Sequence, residues 1–317
     1  MAQRPLIAID WGTSSLRAAR IAADGTVLEQ RAWPRGILQV PAGGFAAAWR
    51  DAVGAWMTAQ PDALCLMSGM VGSQQGWREA PYTACPANAA QIASNLRWLT
   101  PGDGIEPGQR VGIVGGLQCE HDGMPDVMRG EETQVLGACA LLGVRDATVV
   151  LPGTHSKWVQ LRDGRIDHFR TAMTGEVYAL LRQHSILRRS LPESDTTAMD
   201  DPTGPQATTF CDGVRFALRA SGLLHSAFSV RTLALTERLP IAQRSAWLSG
   251  LVIGEELRAA AVSRETAPLV LVGDAALVAR YQIALRVCGV DATVLDAQAT
   301  WRGVWTIAQH PEANPHS

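Results

Sequence analysis

The chain has 317 residues and a mass of 33.9 kDa, room for two domains of about 150 residues each and for a sizeable core without disulfides or structural metals. Hydrophobic residues make up 47% and charged residues 18%, and 28 Lys and Arg against 30 Asp and Glu leave a net charge of -2. That balance excludes coiled coil, collagen and bulk disorder, and the lack of a basic stripe argues against nucleic acid as a partner.

Residues 5–10 read as a buried strand, 16–22 as a second and 26–29 as a third, reached through the Asp24-Gly25 turn. Asp10 interrupts the N-terminal apolar patch after a few residues, which marks a strand and not a signal peptide. No apolar run approaches the ~20 residues of a membrane span, so a cytoplasmic protein without a membrane partner is expected. Phe45, Trp49, Val53 and Trp56 recur at helical spacing and predict a helix over 44–58. A buried strand over 63–67 follows, then a helix over 89–99 with Ile92, Leu96 and Leu99 on one face, a strand over 110–114 and a helix over 131–142. Such alternation implies a mainly parallel sheet covered by helices.

The pattern then starts again. Residues 148–152 read as a strand running into Gly153-Thr154-His155-Ser156, followed by a strand over 157–161, a turn at Asp163-Gly164 and a return over 165–169. Residues 7–29 have the same grammar: apolar strand, Gly-Thr-x-Ser, strand, Asp-Gly, strand. A repeat of this kind, one copy opening each half, sets the architecture. Helices are predicted over 176–186 (Val177, Leu180 and Leu181 inward), 210–223, 243–262, 275–286 and 300–309, and strands over 268–272 and 292–295. The stretch 192–205 reads as a surface loop, and the tail from His310 as polar and loose. The six cysteines form no Cys-x-x-Cys pair and are expected to be reduced, buried thiols.

A Gly-Thr-x-Ser turn after a buried strand can cradle phosphate: glycine lets the backbone come close, and amides and hydroxyls donate. Asp10, at the end of the first strand, can hold Mg²⁺ directly or through water. Two such turns facing across a cleft would grip one nucleotide; a plain hairpin entry is the alternative for either turn alone. No P-loop or dinucleotide fingerprint is present.

With these turns the chain resembles the sugar kinase, Hsp70 and actin ATPase superfamily. Asp10-Trp11-Gly12-Thr13-Ser14-Ser15 looks like its first phosphate motif, Leu151-Pro152-Gly153-Thr154-His155-Ser156-Lys157-Trp158 its second, and Val270-Leu271-Val272-Gly273-Asp274-Ala275 its adenosine motif, with Asp274 where the family often has a second glycine. Residues 67–82, Arg129-Gly130-Glu131-Glu132-Thr133-Gln134 and Met173-Thr174-Gly175-Glu176 resemble the 2-dehydro-3-deoxygalactonokinase family across nearly the whole chain. The resemblance implies an α/β fold of two duplicated ribonuclease H-like lobes, the actin-like ATPase fold, with a nucleotide cleft between them. The lobes are expected at 1–143 and 144–317, the last helix folding back onto the first. It implies ATP and Mg²⁺, and transfer of the γ-phosphoryl to the 6-hydroxyl of the small sugar acid 2-dehydro-3-deoxy-D-galactonate.

The expected nucleotide contacts are Gly12, Thr13, Ser14, Gly153, Thr154, His155, Ser156, Lys157 and Gly273, with Asp10 at the metal. Lys157 reads equally well as a hairpin cation. The loop carrying Ser68, Gly69, Ser73, Gln75, Gly76, Trp77 and Arg78 can offer amides and hydroxyls to a polyhydroxylated acid. Arg78 could pair with the substrate carboxylate or with neighbouring Glu79, and Trp77 could stack on sugar or pack beneath the loop. In related kinases an acid at a helix start just before the second phosphate turn serves as base. Glu131 and Glu132 stand there, Glu131 slightly favoured, although acids in a first helical turn also suit the helix dipole without any chemistry. A phosphohydrolase of polyphosphate or guanosine pentaphosphate type and a non-enzymatic actin- or Hsp70-like protein are the rival readings.

Overall fold

The computed structural model describes residues 5–194, 203–263, 268–296 and 298–313. They cluster into two units, Met1–Ala147 with Val159–Arg170 and Ala297–Ser317, and Thr148–Trp158 with Thr171–Asp296. The last helix groups with the first unit, as expected of a helix that folds back, and so does the far part of a hairpin, Val159–Arg170.

The first unit opens with β1 (Leu6–Trp11), β2 (Leu16–Ile21) and β3 (Val27–Trp33), an antiparallel meander in which Asp10 faces Arg17 across the β1–β2 ladder. Then come α1 (Phe45–Ala59), β4 (Leu64–Ser68), β5 (Thr83–Ala84), α2 (Ala89–Ser94), β6 (Arg97–Trp98), β7 (Arg110–Ile113), the hairpin of β8 (Leu117–His121) and β9 (Met124–Met128), and α3 (Glu131–Leu142). The main sheet runs β3-β2-β1-β4-β7-β6. β1, β4 and β7 are parallel neighbours, and Asp10 lies beside Ser68 in register. Ile7, Ile9 and Trp11 pack into one core with Trp49, Val53 and Trp56 of α1, so the even-numbered Ala8 and Asp10 face the other side of the pleat.

The second unit carries β10 (Ala147–Leu151), the near ends of the hairpin β11 (Ser156–Arg162) and β12 (Arg165–Ala172), whose far part Val159–Arg170 groups with the first unit, and then α4 (Thr174–His184), α5 (Pro205–Arg219), α6 (Leu223–Ser226), α7 (Ser229–Leu235), α8 (Arg244–Ala259), β13 (Leu269–Val272), α9 (Ala275–Val287) and β14 (Ala292–Leu295). Its sheet runs β12-β11-β10-β13-β14 with β10, β13 and β14 parallel. This is the strand order of the first sheet without its outermost β6, so the repeat read in the sequence is a repeat of topology. The last helix, α10 (Gln298–Ala308), packs on α3 in the first unit. The two meet at glycines: an added Cβ on Gly137 would lie 1.7 Å from the Ala299 carbonyl oxygen, and one on Gly303 would lie 1.7 Å from that of Thr133.

Several elements depart from the sequence reading. The helix expected over 89–99 stops at Ser94, because the chain straightens to pair β6 with β7. Trp98 sits over Gly112, where an added Cβ would lie 3.1 Å from the ring. The β8–β9 hairpin was not expected; its Asp122-Gly123 turn has φ of 52° and 76°, the two-residue turn such pairs favour. Leu180 is exposed, while Val177 and Leu181 pack inward. The helix expected over 210–223 begins earlier, with Pro205 in its first turn, and ends at Arg219. In the surface loop expected over 192–205, residues 195–202 lie outside the described residues. Residues 311–313 form a 3-10 turn with Ala313 buried, against the loose tail expected, and 314–317 lie outside the described residues. All six cysteines are free; Cys65 is buried and the other five are half-buried. Among the described residues no helix is long and apolar enough to cross a membrane.

Candidate active site

In the first unit the chain leaves β1 at Asp10 and Trp11 and turns through Gly12, Thr13, Ser14 and Ser15, the last three exposed. The turn is closed by the Gly12 N–H on the Ser15 carbonyl at 2.9 Å. It is braced from outside by a segment the sequence reading passed over. The N–H groups of Ile37 and Leu38 donate to the carbonyls of Gly12 and Thr13 at 3.0 and 3.3 Å. Gly36 lies so close that an added Cβ would be 2.2 Å from the Thr13 carbonyl carbon. Asp10 Oδ2 accepts from Arg17, through Nε at 3.2 Å and more closely through Nη2. Asp10 Oδ1 faces Gly69, where an added Cβ would lie 3.3 Å from it.

Gly69, with φ of +92°, turns the chain out of β4 into the loop expected to meet the sugar acid. The loop is folded on itself: Trp77 N–H donates to the Val71 carbonyl at 2.8 Å, Ala80 N–H to Gly72 at 2.9 Å, and Ser73 Oγ to the Met70 carbonyl at 2.8 Å. Gly76 is required, since a Cβ would lie 2.1 Å from the Val71 carbonyl oxygen. Gln75 is exposed. Trp77 packs beneath the loop against Phe45 and Trp49 and donates Nε1–H to the Asp103 carbonyl at 3.3 Å. Arg78 pairs with Asp103, neither with Glu79 nor turned into the loop. The cation that does reach the loop is Arg129. Its Nη2 donates to the Ala80 carbonyl at 2.9 Å, its guanidinium lies 4.4 Å over the Tyr82 ring, and Nη1 would be 3.0 Å from a Cβ on Gly72. Its Nε and Nη1 are buried with no partner among the described residues.

Arg129 leads into Gly130, whose φ of +105° turns the chain into α3, and Gly130 rests on Gly69: an added Cβ would lie 3.1 Å from the Gly69 Cα. The ends of β1 and β4 and the start of α3 therefore converge. The two glutamates there have different surroundings. Glu131 is half-buried and its Oε2 accepts from the Arg129 N–H at 3.0 Å. Glu132 is fully buried; its Oε2 accepts from the Gly130 N–H at 2.7 Å, and its Oε1 has no partner among the described residues. Burial first, and then the neighbouring Glu131 charge, push the Glu132 carboxyl up to about 8. The Ser68 hydroxyl is likewise buried and unpartnered among the described residues.

In the second unit the turn Gly153 to Ser156 leaves β10 for β11. Thr154 and His155 are exposed, and Lys157 is buried with Nζ on Thr171 Oγ1 at 2.6 Å. Ser156 departs from its expected role: it is fully buried, accepts from the Gly153 N–H at 3.4 Å and shares a 2.9 Å hydrogen bond with the Tyr281 hydroxyl. It builds the turn from within and presents no hydroxyl outside. The start of α4 backs the turn. Glu176 N–H donates to the Thr154 carbonyl at 3.1 Å, the Glu176 carboxylate meets His155 Nε2, and Gly175 lies where a Cβ would be 2.6 Å from the Gly153 carbonyl oxygen. Behind both stands Glu256 of α8, which the sequence reading missed. It accepts from Trp158 Nε1 at 2.6 Å, from Tyr281 Oη at 2.5 Å and closely from Thr174 Oγ1. Burial raises its pKa against the pull of these donors. Gly273 ends β13, and Asp274 caps α9, accepting from the N–H groups of Ala276 and Leu277 at 3.0 and 3.1 Å. The departure from a second glycine is thus a helix N-cap.

Two sheets of one strand order, each opened by strand, glycine turn and hairpin, define the duplicated actin-like ATPase fold. A solved activator of 2-hydroxyisocaproyl-CoA dehydratase from Clostridium difficile with bound ADPNP shares that fold, with a TM-score of 0.50 at 11% identity over 96% of this chain and 92% of the other. The family model for 2-keto-3-deoxy-galactonokinase matches residues 10–307, and the chain belongs to that family. It is similar to the Escherichia coli K12 2-dehydro-3-deoxygalactonokinase, 36% identical over 311 residues, covering 97% of this chain and 98% of the relative. It is equally similar to the "Probable 2-dehydro-3-deoxygalactonokinase DgoK1" of Rhizobium meliloti strain 1021, 36% identical over 310 residues, 95% of this chain and 97% of the relative. A crystal structure of a candidate 2-dehydro-3-deoxygalactonokinase from Sinorhizobium meliloti superposes with a TM-score of 0.85 at 35% identity, over 96% of this chain and 98% of that one.

Proposed function

We propose that this kinase transfers the γ-phosphoryl group of ATP to the 6-hydroxyl of 2-dehydro-3-deoxy-D-galactonate, giving the 6-phosphate. Membership in the family supports the activity, and one observation carries the residue assignment: Asp10, the Ser68-Gly69 corner and the Glu131-Glu132 helix start converge in one unit. Phosphoryl transfer asks mainly for positioning and charge neutralisation, with a carboxylate at the attacking hydroxyl. Glu131 is the base. It is the glutamate that reaches the surface, whereas Glu132 is sealed in and, with its carboxyl at about 8, is largely protonated at neutral pH. Glu132 instead fixes the Gly130 amide and so the start of α3.

In the first unit Gly12, Thr13 and Ser14 are suited to phosphate, and in the second, taken by itself, Gly153, Thr154, His155 and Lys157 are, with Gly273 suited to the nucleoside. Asp10 is suited to Mg²⁺, because Arg17 takes only Oδ2 and magnesium usually takes one or two protein carboxylates beside substrate phosphates. Bound there, the ion neutralises charge developing on the phosphates. Among the described residues no cluster of three or more His, Cys, Asp or Glu could hold a metal by itself. Ser68, Gly69, Ser73, Gln75 and Gly76 shape the sugar-acid loop, and Trp77 supports it. Arg129 donates into that loop through Nη2, and its buried Nη1, without a partner among the described residues, lies beside Gly72, so we take Arg129 in place of Arg78 as the cation nearest the sugar acid.

A coupled ATP-consumption panel over 2-keto-3-deoxy sugar acids, including galactonate and gluconate epimers, tests the reading. Magnesium-dependent turnover with the galactonate epimer supports it. Hydrolysis of polyphosphate or guanosine pentaphosphate, with no turnover on any sugar acid, overturns it.

A further inference from the structure

Glu256 is 5% exposed, sits on α8 and lies outside every motif that suggested the function. Three donors converge on its two oxygens: Trp158 Nε1–H on Oε1, and the hydroxyls of Thr174 and Tyr281 on Oε2. An indole N–H can only donate, and an ionised carboxylate can only accept, so this set suits the ionised form. It also fixes the direction of the next link. With the Tyr281 proton spent on Glu256, the Ser156 hydroxyl donates to Tyr281 Oη, and the Ser156 lone pairs turn back toward the Gly153 N–H. A second arm runs through Thr174, the first residue of α4, whose neighbours Gly175 and Glu176 lie against Gly153 and Thr154. One carboxylate thus reaches both the inside of the second phosphate turn and the helix start that backs it.

A buried carboxylate is a poor stabiliser in itself, since well-packed apolar side chains of similar volume often serve as well or better. What such a network supplies is a fixed geometry, which a phosphate cradle needs because donors held in place before binding cost no reorganisation. We propose that Glu256 is a positioning residue for nucleotide binding: through Tyr281–Ser156 and through Thr174 it sets the shape of the Gly153–Ser156 turn, without itself touching the nucleotide. The proposal rests on the reading of that turn as a phosphate site.

The test measures binding of a non-hydrolysable ATP analogue by calorimetry, and KM for ATP and for the sugar acid, in variants whose fold is checked by circular dichroism. Tyr281→Phe cuts the link to Ser156 while leaving the Trp158 and Thr174 bonds, and Ser156→Ala cuts the same chain one step later. Each is expected to weaken analogue binding and raise KM for ATP by about tenfold, the effect of one unsatisfied buried partner, with KM for the sugar acid unchanged. Because both interrupt one chain, the double variant should bind no more weakly than the weaker single one. Glu256→Gln, which disturbs both arms, should be the most severe; if it does not fold, the Tyr281 and Ser156 variants decide. Analogue affinity within about twofold of wild type in Tyr281→Phe, less than ~0.5 kcal/mol, would overturn the proposal. So would losses that multiply in the double variant, or equal losses toward both substrates. Failure of the wild-type protein to bind the analogue would instead remove the reading of the turn as a phosphate site.

Discussion

At the scale of residues, Glu131 and Glu132 show how adjacent identical side chains are given different surroundings. Consecutive positions on a helix point about 100° apart, so one faces out of α3 and the other into the packing. The pair was visible in the sequence after Gly130; which member was sealed was not, because that depends on Gly69 lying beneath Gly130. Arg129 was hidden for a similar reason: nothing local distinguishes it from Arg78, and only Asp103, 25 residues away, reveals that Arg78 is already engaged. Glu131→Gln should lower turnover by about 10²–10⁴-fold while both substrates still bind, and Glu132→Gln should be much milder. The reverse ranking in steady-state assays would move the base to Glu132. Burial of Glu132 also has a pH signature. Its folded value of about 8 lies above the ordinary 4.5, so the folded state holds a proton that the unfolded state has released. Stability from this group is fully present below the unfolded value and is lost as pH rises through the window, by at most about 1.4 kcal/mol per unit. Thermal unfolding at pH 5.5 and 8 should show wild type losing more of its midpoint than Glu132→Gln. Equal losses would mean that Glu132 is ionised throughout.

At the scale of elements, the placing of the start of α3, where the proposed base stands, depends on how that helix crosses α10. With Gly137 and Gly303 at the crossing, backbone meets backbone, and a methyl group has no side chain to push aside. Gly137→Ala should therefore destabilise by about 2 kcal/mol or more, seen as a fall of several degrees in unfolding midpoint. Gly54→Ala on α1 makes the opposite case: its Cβ would meet only Arg50 Cβ, at 3.6 Å. It should stabilise by roughly 0.5–1 kcal/mol through helix propensity. Midpoints that move together would break the argument. Long elements with one apolar face were legible in the sequence. Elements set by a partner were not, as when Leu96 and Leu99 keep helical spacing although Trp98 has been drawn onto Gly112 of β7. In the same way the sequence around Gly36 carries no sign that it braces the Gly12–Ser15 turn.

At the scale of the whole molecule, the duplication was the most legible feature, because strand, Gly-Thr turn and Asp-Gly hairpin are local patterns that survive without knowledge of contacts. The division of the chain was less so in one respect: Val159–Arg170 of the β11–β12 hairpin groups with the first unit, as does α10, whose return to that unit was expected. A chain ending at Asp296 should therefore lose amide-exchange protection in α3, while β10, β13 and α9 keep theirs; loss centred on β13 and α9 would contradict the grouping. Lys157, described above as a buried cation on β11, has a further consequence. It is the single lysine among the 28 Lys and Arg residues of the chain, and it is 6% exposed. A protease that cuts only after lysine therefore has one bond to attack, Lys157–Trp158, and in the native protein that bond is closed to it. Cleavage into two pieces of nearly equal size would count each opening of the strand that leaves the Gly153–Ser156 turn, and, on the proposed reading of that turn, slower cleavage with nucleotide present would report its occupancy with no label and no substrate turnover.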